Sequence, residues 1–259
     1  MAPVLVDVSE GIARLSFNRP EALNALDPTM SRAFVSAVRQ VLADPGCRVV
    51  VLSGQGRGFV AGGDLAAFRA APDKAALALE IIPDFNAALL ALAQAPQPVL
   101  ALLHGPVAGA GMSIAAMADL AVASADATFT MAYPRVGAPP DCGGSWALPR
   151  LLGQRKALEL ALLSPTLDAA EALRIGFVNR VVASDALEAE GLAIACRLAA
   201  AAPLAQAHTK ALIRAGWSAA LETQLQAEQD AFAACAATQD FAEALDAFFA
   251  KRRPVFTGN

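Results

Sequence analysis

Histidine is nearly missing from this chain: His104 and His208 are the only two in 259 residues. Any Ser-His-Asp or Cys-His nucleophile would have to be built on one of them, and His104 sits in a turn, ahead of a glycine. Cysteine is equally sparse. Cys47, Cys142, Cys196 and Cys235 lie far apart with no CxxC pair, so they support neither a metal site nor a disulfide framework and read as free thiols. Runs of basic residues are absent apart from Lys251-Arg252-Arg253; the formal charge is −4 and the isoelectric point is near 5.2. That balance gives no nucleic-acid footprint and points to a small-molecule partner. One stretch, residues 98–123, has the length of a membrane span, but it holds His104, Pro106 and Asp119 and three glycines. It reads as buried strand, turn and helix, with no membrane partner. The first ten residues set no basic stretch ahead of an apolar one, so neither a signal nor a transit peptide is read and a cytoplasmic location is the expectation.

What is abundant is alanine. The hydrophobic fraction of 56% and mean hydropathy of +0.46 are high, but alanine is as much a helix former as an apolar residue. The length allows one large domain or a core with an appendage. Residues 4–8 and 12–17, around Glu10-Gly11, predict a hairpin. Asp27-Pro28 opens a helix to about residue 43. Residues 48–52 form a Val-rich strand, and a loop with glycine at 54, 56, 58, 62 and 63 follows. Asp64 starts the next helix; residues 73–94 predict helical turns interrupted at Pro83. A strand at 99–103, a second glycine turn at 109–111, a helix to about 118 and strands at 120–123 and 129–131 come next. A helix at 146–163 is expected to break locally around Pro149 and Gly153. A capping signal in residues 166–171 precedes a short helix closed by Gly176 and a last strand at 177–182. Beyond it lie only helices, near 185–201, 203–215, 218–236 and 238–250. Buried strands with intervening helices make an α/β pattern.

Strand, glycine turn and helix also describe phosphate sites. Here Phe59 takes the third glycine position of a dinucleotide fingerprint, and Gly111 is followed by Met112-Ser113 rather than the Lys-Ser/Thr of a P-loop. The other use of such turns is an oxyanion hole, in which N–H groups at a helix start face a carbonyl oxygen that gains charge. Asp141, in P-P-D-C-G-G-S-W, sits where a turn becomes a helix. From the residues alone it serves equally as an N-cap or as an acid–base group.

The strings N-R-P-E-A-L-N-A-L at 18–26, F-V-A-G-G-D-L at 59–65, H-G-P-V-A-G-A-G-M at 104–112 and F-F-A-K-R-R-P-V-F at 248–256 resemble the crotonase (enoyl-CoA hydratase/isomerase) superfamily, in order along the whole chain. The resemblance implies an α/β crotonase fold of repeated ββα units, with a core over residues 1–195 and a helical C-terminal trimerisation region over 196–259. It implies acyl-CoA thioester substrates, no cofactor because coenzyme A is part of the substrate, no metal, and a homotrimer or a hexamer made of two trimers. By match of motif, the N–H groups of Gly63 and Ala110, flanked by Gly62, Gly109 and Gly111, would hold the thioester oxygen. Ala22, Leu23 and Ala25, with residues Ala61 to Leu65 (Asp64 included), would meet coenzyme A. Phe248 and Lys251 would reach the coenzyme A of a neighbouring subunit, although a solvated terminus explains the basic run as well.

The two glutamates of the superfamily's hydratases fall on Ser113 and Tyr133 here, and neither is a carboxylate. The string around Asp141 looks like the subgroup of epoxyphenylacetyl-CoA isomerases and related enoyl-CoA isomerases, in which an aspartate at this place carries the proton. Tyr133 is expected to line the acyl pocket or pack in the core. Asp64 and Asp119 are read as a helix cap and a partner for buried backbone. Residues 65–98 lack the histidine that the superfamily's dehalogenases need. The expected activity is isomerisation through Asp141; hydration by a lyase, or acyl-CoA binding without catalysis, are the alternatives.

Overall fold

The computed structural model describes residues 2–259. Strands β1 (Val4–Ser9) and β2 (Ile12–Phe17) form the expected hairpin, with Glu10 and Gly11 both at positive φ as a two-residue turn requires. Helix α1 (Pro28–Leu42) starts as predicted, its Asp27 carboxylate accepting from Met30 N–H. Next come β3 (Val49–Gly54), α2 (Leu65–Ala70) and α3 (Lys74–Gln94). The interruption expected at Pro83 does not occur: α3 runs through it as one helix. By length and composition α3 is apolar enough to cross a membrane, yet Ile81, Phe85, Leu89 and Leu92 are buried in the core.

The stretch with the length of a span is β4 (Val99–Leu103), β5 (Pro106–Ala108), α4 (Ala110–Met117) and β6 (Leu120–Ser124). Strand β7 (Thr128–Thr130) leads to a single 3-10 turn at Tyr133–Val136, then α5 (Gly144–Leu152) and α6 (Gln154–Leu163). The helix expected from 146 begins at 144 and breaks only at Gly153; Pro149 lies inside α5. Then follow β8 (Thr166–Asp168), α7 (Ala169–Arg174) capped by Asp168, β9 (Arg180–Val182) and α8 (Leu187–Ala199). Helices α9 (Pro203–Ala215), α10 (Leu221–Ala236) and α11 (Gln239–Phe249) complete the chain.

Six strands form one sheet in the order β1-β2-β3-β4-β6-β9, parallel except for the hairpin, and β5-β7-β8 form a second. Each repeat of the chain sends one strand to the large sheet, returns a short segment to the second layer, and then enters a helix. This is explicit in β4-β5-α4 and β6-β7-α5. The isolated bridges Val60↔Val107 and Leu26↔Gly63 extend the same second layer through the two preceding repeats. The places where second-layer segments turn into helices therefore lie side by side.

Both faces of the large sheet are buried, which explains its uninterrupted valine and leucine runs. Val50, Leu52, Ala101 and Leu103 face the main core. Val49, Val51, Leu100 and Leu102 face α8, where a Cβ on Gly191 would stand 2.5 Å from Leu102. Phe17, Phe34, Phe59 and Phe85 pack ring against ring at 5.1–5.6 Å between centroids. Phe59, which spoils the dinucleotide fingerprint, is thus the core anchor of the first glycine loop. Asp119 accepts from Val99 N–H and also pairs with Lys210 and Arg214 of α9, tying that helix to the sheet.

Candidate active site

The first glycine loop hangs from a polar clamp. Asn24, fully buried, donates to the carbonyls of Gln55, Gly58 and Phe59 and accepts from Arg19 N–H. Arg19 pairs in turn with Asp27 and Asp64, each at 3.0 Å. Asp64 caps α2 through Ala66 and Ala67 N–H. Burial opposes its ionisation, but the Ala67 N–H and the Arg19 guanidinium outweigh it and hold the carboxyl below the usual aspartate range. The half-buried Ala22, Leu23 and Ala25 stand on this clamped loop, and Ala61 N–H donates to Leu23 O. Sequence reasoning passed over Asn24 and Arg19; their signal was a polar pair inside an otherwise apolar motif.

Gly62, Gly63 and Gly109 meet at neighbouring helix entries. Gly62 has φ +103° and Gly109 +51°, and a Cβ on Gly109 would lie 3.6 Å from Gly62 Cα. These positive φ values favour glycine at both positions. Gly111 is equally constrained, since its Cβ would fall 2.0 Å from Val60 O. Leu26 takes the backbone bonds of Gly62 O and Asp64 N–H, leaving the intervening Gly63 amide with no carbonyl partner among the described residues. Ala110 is the first residue of α4, so its N–H has no place in the helical ladder either. Two adjacent free amides, one at a helix N-terminus, suit an oxygen that acquires negative charge. Leu65, at the start of α2, is exposed.

Asp141 is not the cap of α5. Gly143 takes that place without a side-chain bond, and the Asp141 carboxylate instead accepts at Oδ1 from the Tyr133 hydroxyl, 2.5 Å away. Tyr133 also bonds Ser113 Oγ at 3.0 Å. The fold thus gathers Ser113, Tyr133 and Asp141 into one chain. Asp141 is half-buried, whereas Tyr133 and Ser113 are buried. Burial, and then the Asp141 charge, push the Tyr133 phenol above its usual range; the same causes act on the Cys142 thiol. The glycines after Asp141 seat the turn on α4: a Cβ on Gly143 would be 2.7 Å from Met117 Sδ, and one on Gly144 2.3 Å from Ser113 Oγ. A largely apolar cavity of about 680 Å³ borders this turn, walled by Pro139, Pro140, Leu148, Ala157 and Leu158. Phe248 and Lys251 stand exposed at the end of α11, and a single chain does not bring them into this cluster. His104 bonds Gly56 O and serves the turn it sits in.

The enoyl-CoA hydratase/isomerase family matches residues 7–259. The chain is similar to the 1,2-epoxyphenylacetyl-CoA isomerase of Escherichia coli strain K12, with 35% identity over 98% of each chain. It is also similar to the crotonyl-CoA hydratase of Syntrophomonas wolfei, with 32% identity over 98% of this chain and 97% of that one. Among solved structures, an enoyl-CoA hydratase/isomerase from Mycobacterium abscessus superposes with a TM-score of 0.93 at 35% identity, covering 99% of this chain and all of its own.

Proposed function

The chain belongs to the enoyl-CoA hydratase/isomerase family, and from that premise we propose that it is an acyl-CoA isomerase that moves a double bond, or opens a strained ring, by proton transfer through Asp141. The thioester oxygen accepts from Gly63 and Ala110 N–H. Asp141 takes the α proton, and the C–H electron pair moves into an enolate whose charge rests on that oxygen. The carboxyl then returns the proton to the γ carbon, and the enolate electrons re-form the thioester carbonyl with the double bond shifted. One carboxylate suffices, because the same group is base and then acid.

The observation that carries this reading is the Ser113–Tyr133–Asp141 chain. The two positions where the family's hydratases place glutamates hold hydroxyls, and both are committed to supporting the one carboxylate. A relative named as an isomerase agrees with it; a relative named as a hydratase keeps hydration as the competing outcome. Coenzyme A enters with the substrate and meets the loop around Ala22, Leu23 and Ala25. The apolar cavity beside the Asp141 turn offers room for the acyl group. Phe248 and Lys251 act on the coenzyme A of a neighbouring copy in a trimer.

The test is incubation with 3-enoyl, 2-enoyl and ring-epoxide CoA thioesters in heavy water, with products read by mass spectrometry. Isomerised product is expected, its deuterium content reporting how far the carboxyl proton exchanges with solvent before it is returned, with the rate reduced by about 10²–10⁴-fold in Asp141→Asn. Hydrated product that persists in Asp141→Asn would overturn the isomerase. Binding with neither exchange nor turnover would mark a non-catalytic acyl-CoA-binding protein.

A further inference from the structure

Resting on the assignment of Asp141 as the proton carrier, we propose that Tyr133, seated by Ser113, is its positioning residue: the tyrosine hydroxyl occupies Oδ1 and leaves Oδ2 alone to exchange protons with the substrate.

The hydrogen inventory sets the direction of this chain. An ionised carboxylate only accepts, and a tyrosine hydroxyl has one proton. With that proton given to Asp141 Oδ1, the contact between Ser113 and Tyr133 must be Ser113 Oγ–H donating to the phenol oxygen. None of the three is free to turn away. Ser113 is fully buried on α4, one helical turn after Ala110 and against the Cα of Gly144. Tyr133 is 8% exposed and opens a 3-10 turn whose next residue is Pro134. The Asp141 turn closes on itself through Gly144 N–H to Asp141 O.

The carboxylate cannot rotate to present Oδ1 without breaking its hydrogen bond to Tyr133. The titratable groups that meet it are Tyr133 from the preceding turn and Cys142 beside it; both are held above their usual ranges and stay neutral. Ser113 bears on it from α4 through the phenol.

The experiment compares Tyr133→Phe and Ser113→Ala with the parent chain, and Tyr133→Phe/Asp141→Asn with Asp141→Asn. In Tyr133→Phe, kcat is expected to fall on the order of ten- to a hundredfold, the size of one hydrogen bond to a charged group, while KM holds. Ser113→Ala should give a smaller change in the same direction, and Tyr133→Phe should have no further effect in the Asp141→Asn background. An unchanged kcat, a rise in KM alone, or an equal loss from Tyr133→Phe with and without Asp141→Asn overturns the proposal and returns Tyr133 to packing or pocket lining. Proton exchange that survives Asp141→Asn overturns the assignment on which it rests.

Discussion

At the scale of single residues, the site is defined by which polar groups are kept out of water. Tyr133 is the chain's only tyrosine, so phenolate absorbance reports on it alone. Its pKa is raised in the folded state, first by burial and then by Asp141. Folding therefore holds a proton that the unfolded chain releases at about pH 10. The resulting stability is complete below that value and is lost as pH rises through the folded value. Two outcomes are expected: phenolate absorbance appears only with unfolding, and Tyr133→Phe flattens the alkaline loss of stability measured by chemical denaturation. A reversible phenolate titration near pH 10 in the folded chain would show a solvated hydroxyl instead.

At the scale of elements, the start of α4 is where the oxyanion contacts can be tested. Proline suits the first position of a helix, where no ladder bond is lost. Ala110→Pro therefore removes the amide hydrogen while keeping the helix, a direct test that other side-chain exchanges cannot give. Turnover is expected to drop on the order of 10²–10³-fold with an unchanged circular dichroism spectrum; full turnover would place the oxygen elsewhere. Most elements could be read from the residues because their causes are local. The Val and Leu runs of β3 and β4 and the Asp27, Asp64 and Asp168 caps are of this kind. Strands β5 and β8, three residues each, could not, because neither has an apolar run and both exist by pairing with β7. Pro83 in α3 and Pro149 in α5 were misread because neighbouring packing tolerates a proline that propensity alone would exclude. Asp141 showed the same limit. Its local setting left cap and acid–base group equally open, because the partner that claims its carboxylate is eight residues away and is itself held by a serine twenty residues before that.

At the scale of the molecule, the C-terminal helices leave Trp217, Leu221, Leu225, Phe232, Phe248 and Phe249 exposed. Burial of these side chains against copies of the chain would account for their exposure. Sedimentation is expected to give a trimer, and Lys251→Ala to raise KM for CoA thioesters with kcat unchanged. A monomer at the protein concentrations used for turnover would remove both Phe248 and Lys251 from the neighbouring site.

Ala110 and Ser113 ride on one turn of α4, with the Asp141 turn lying on that helix through Gly143 and Gly144. A tilt of α4 carries its first amide and the serine hydroxyl through the same displacement. The distance between them is inherited from the rise of an α-helix, about 1.5 Å per residue, rather than from how two loops settle. Breathing of the surrounding chain can shift where the site lies while leaving its internal ruler intact.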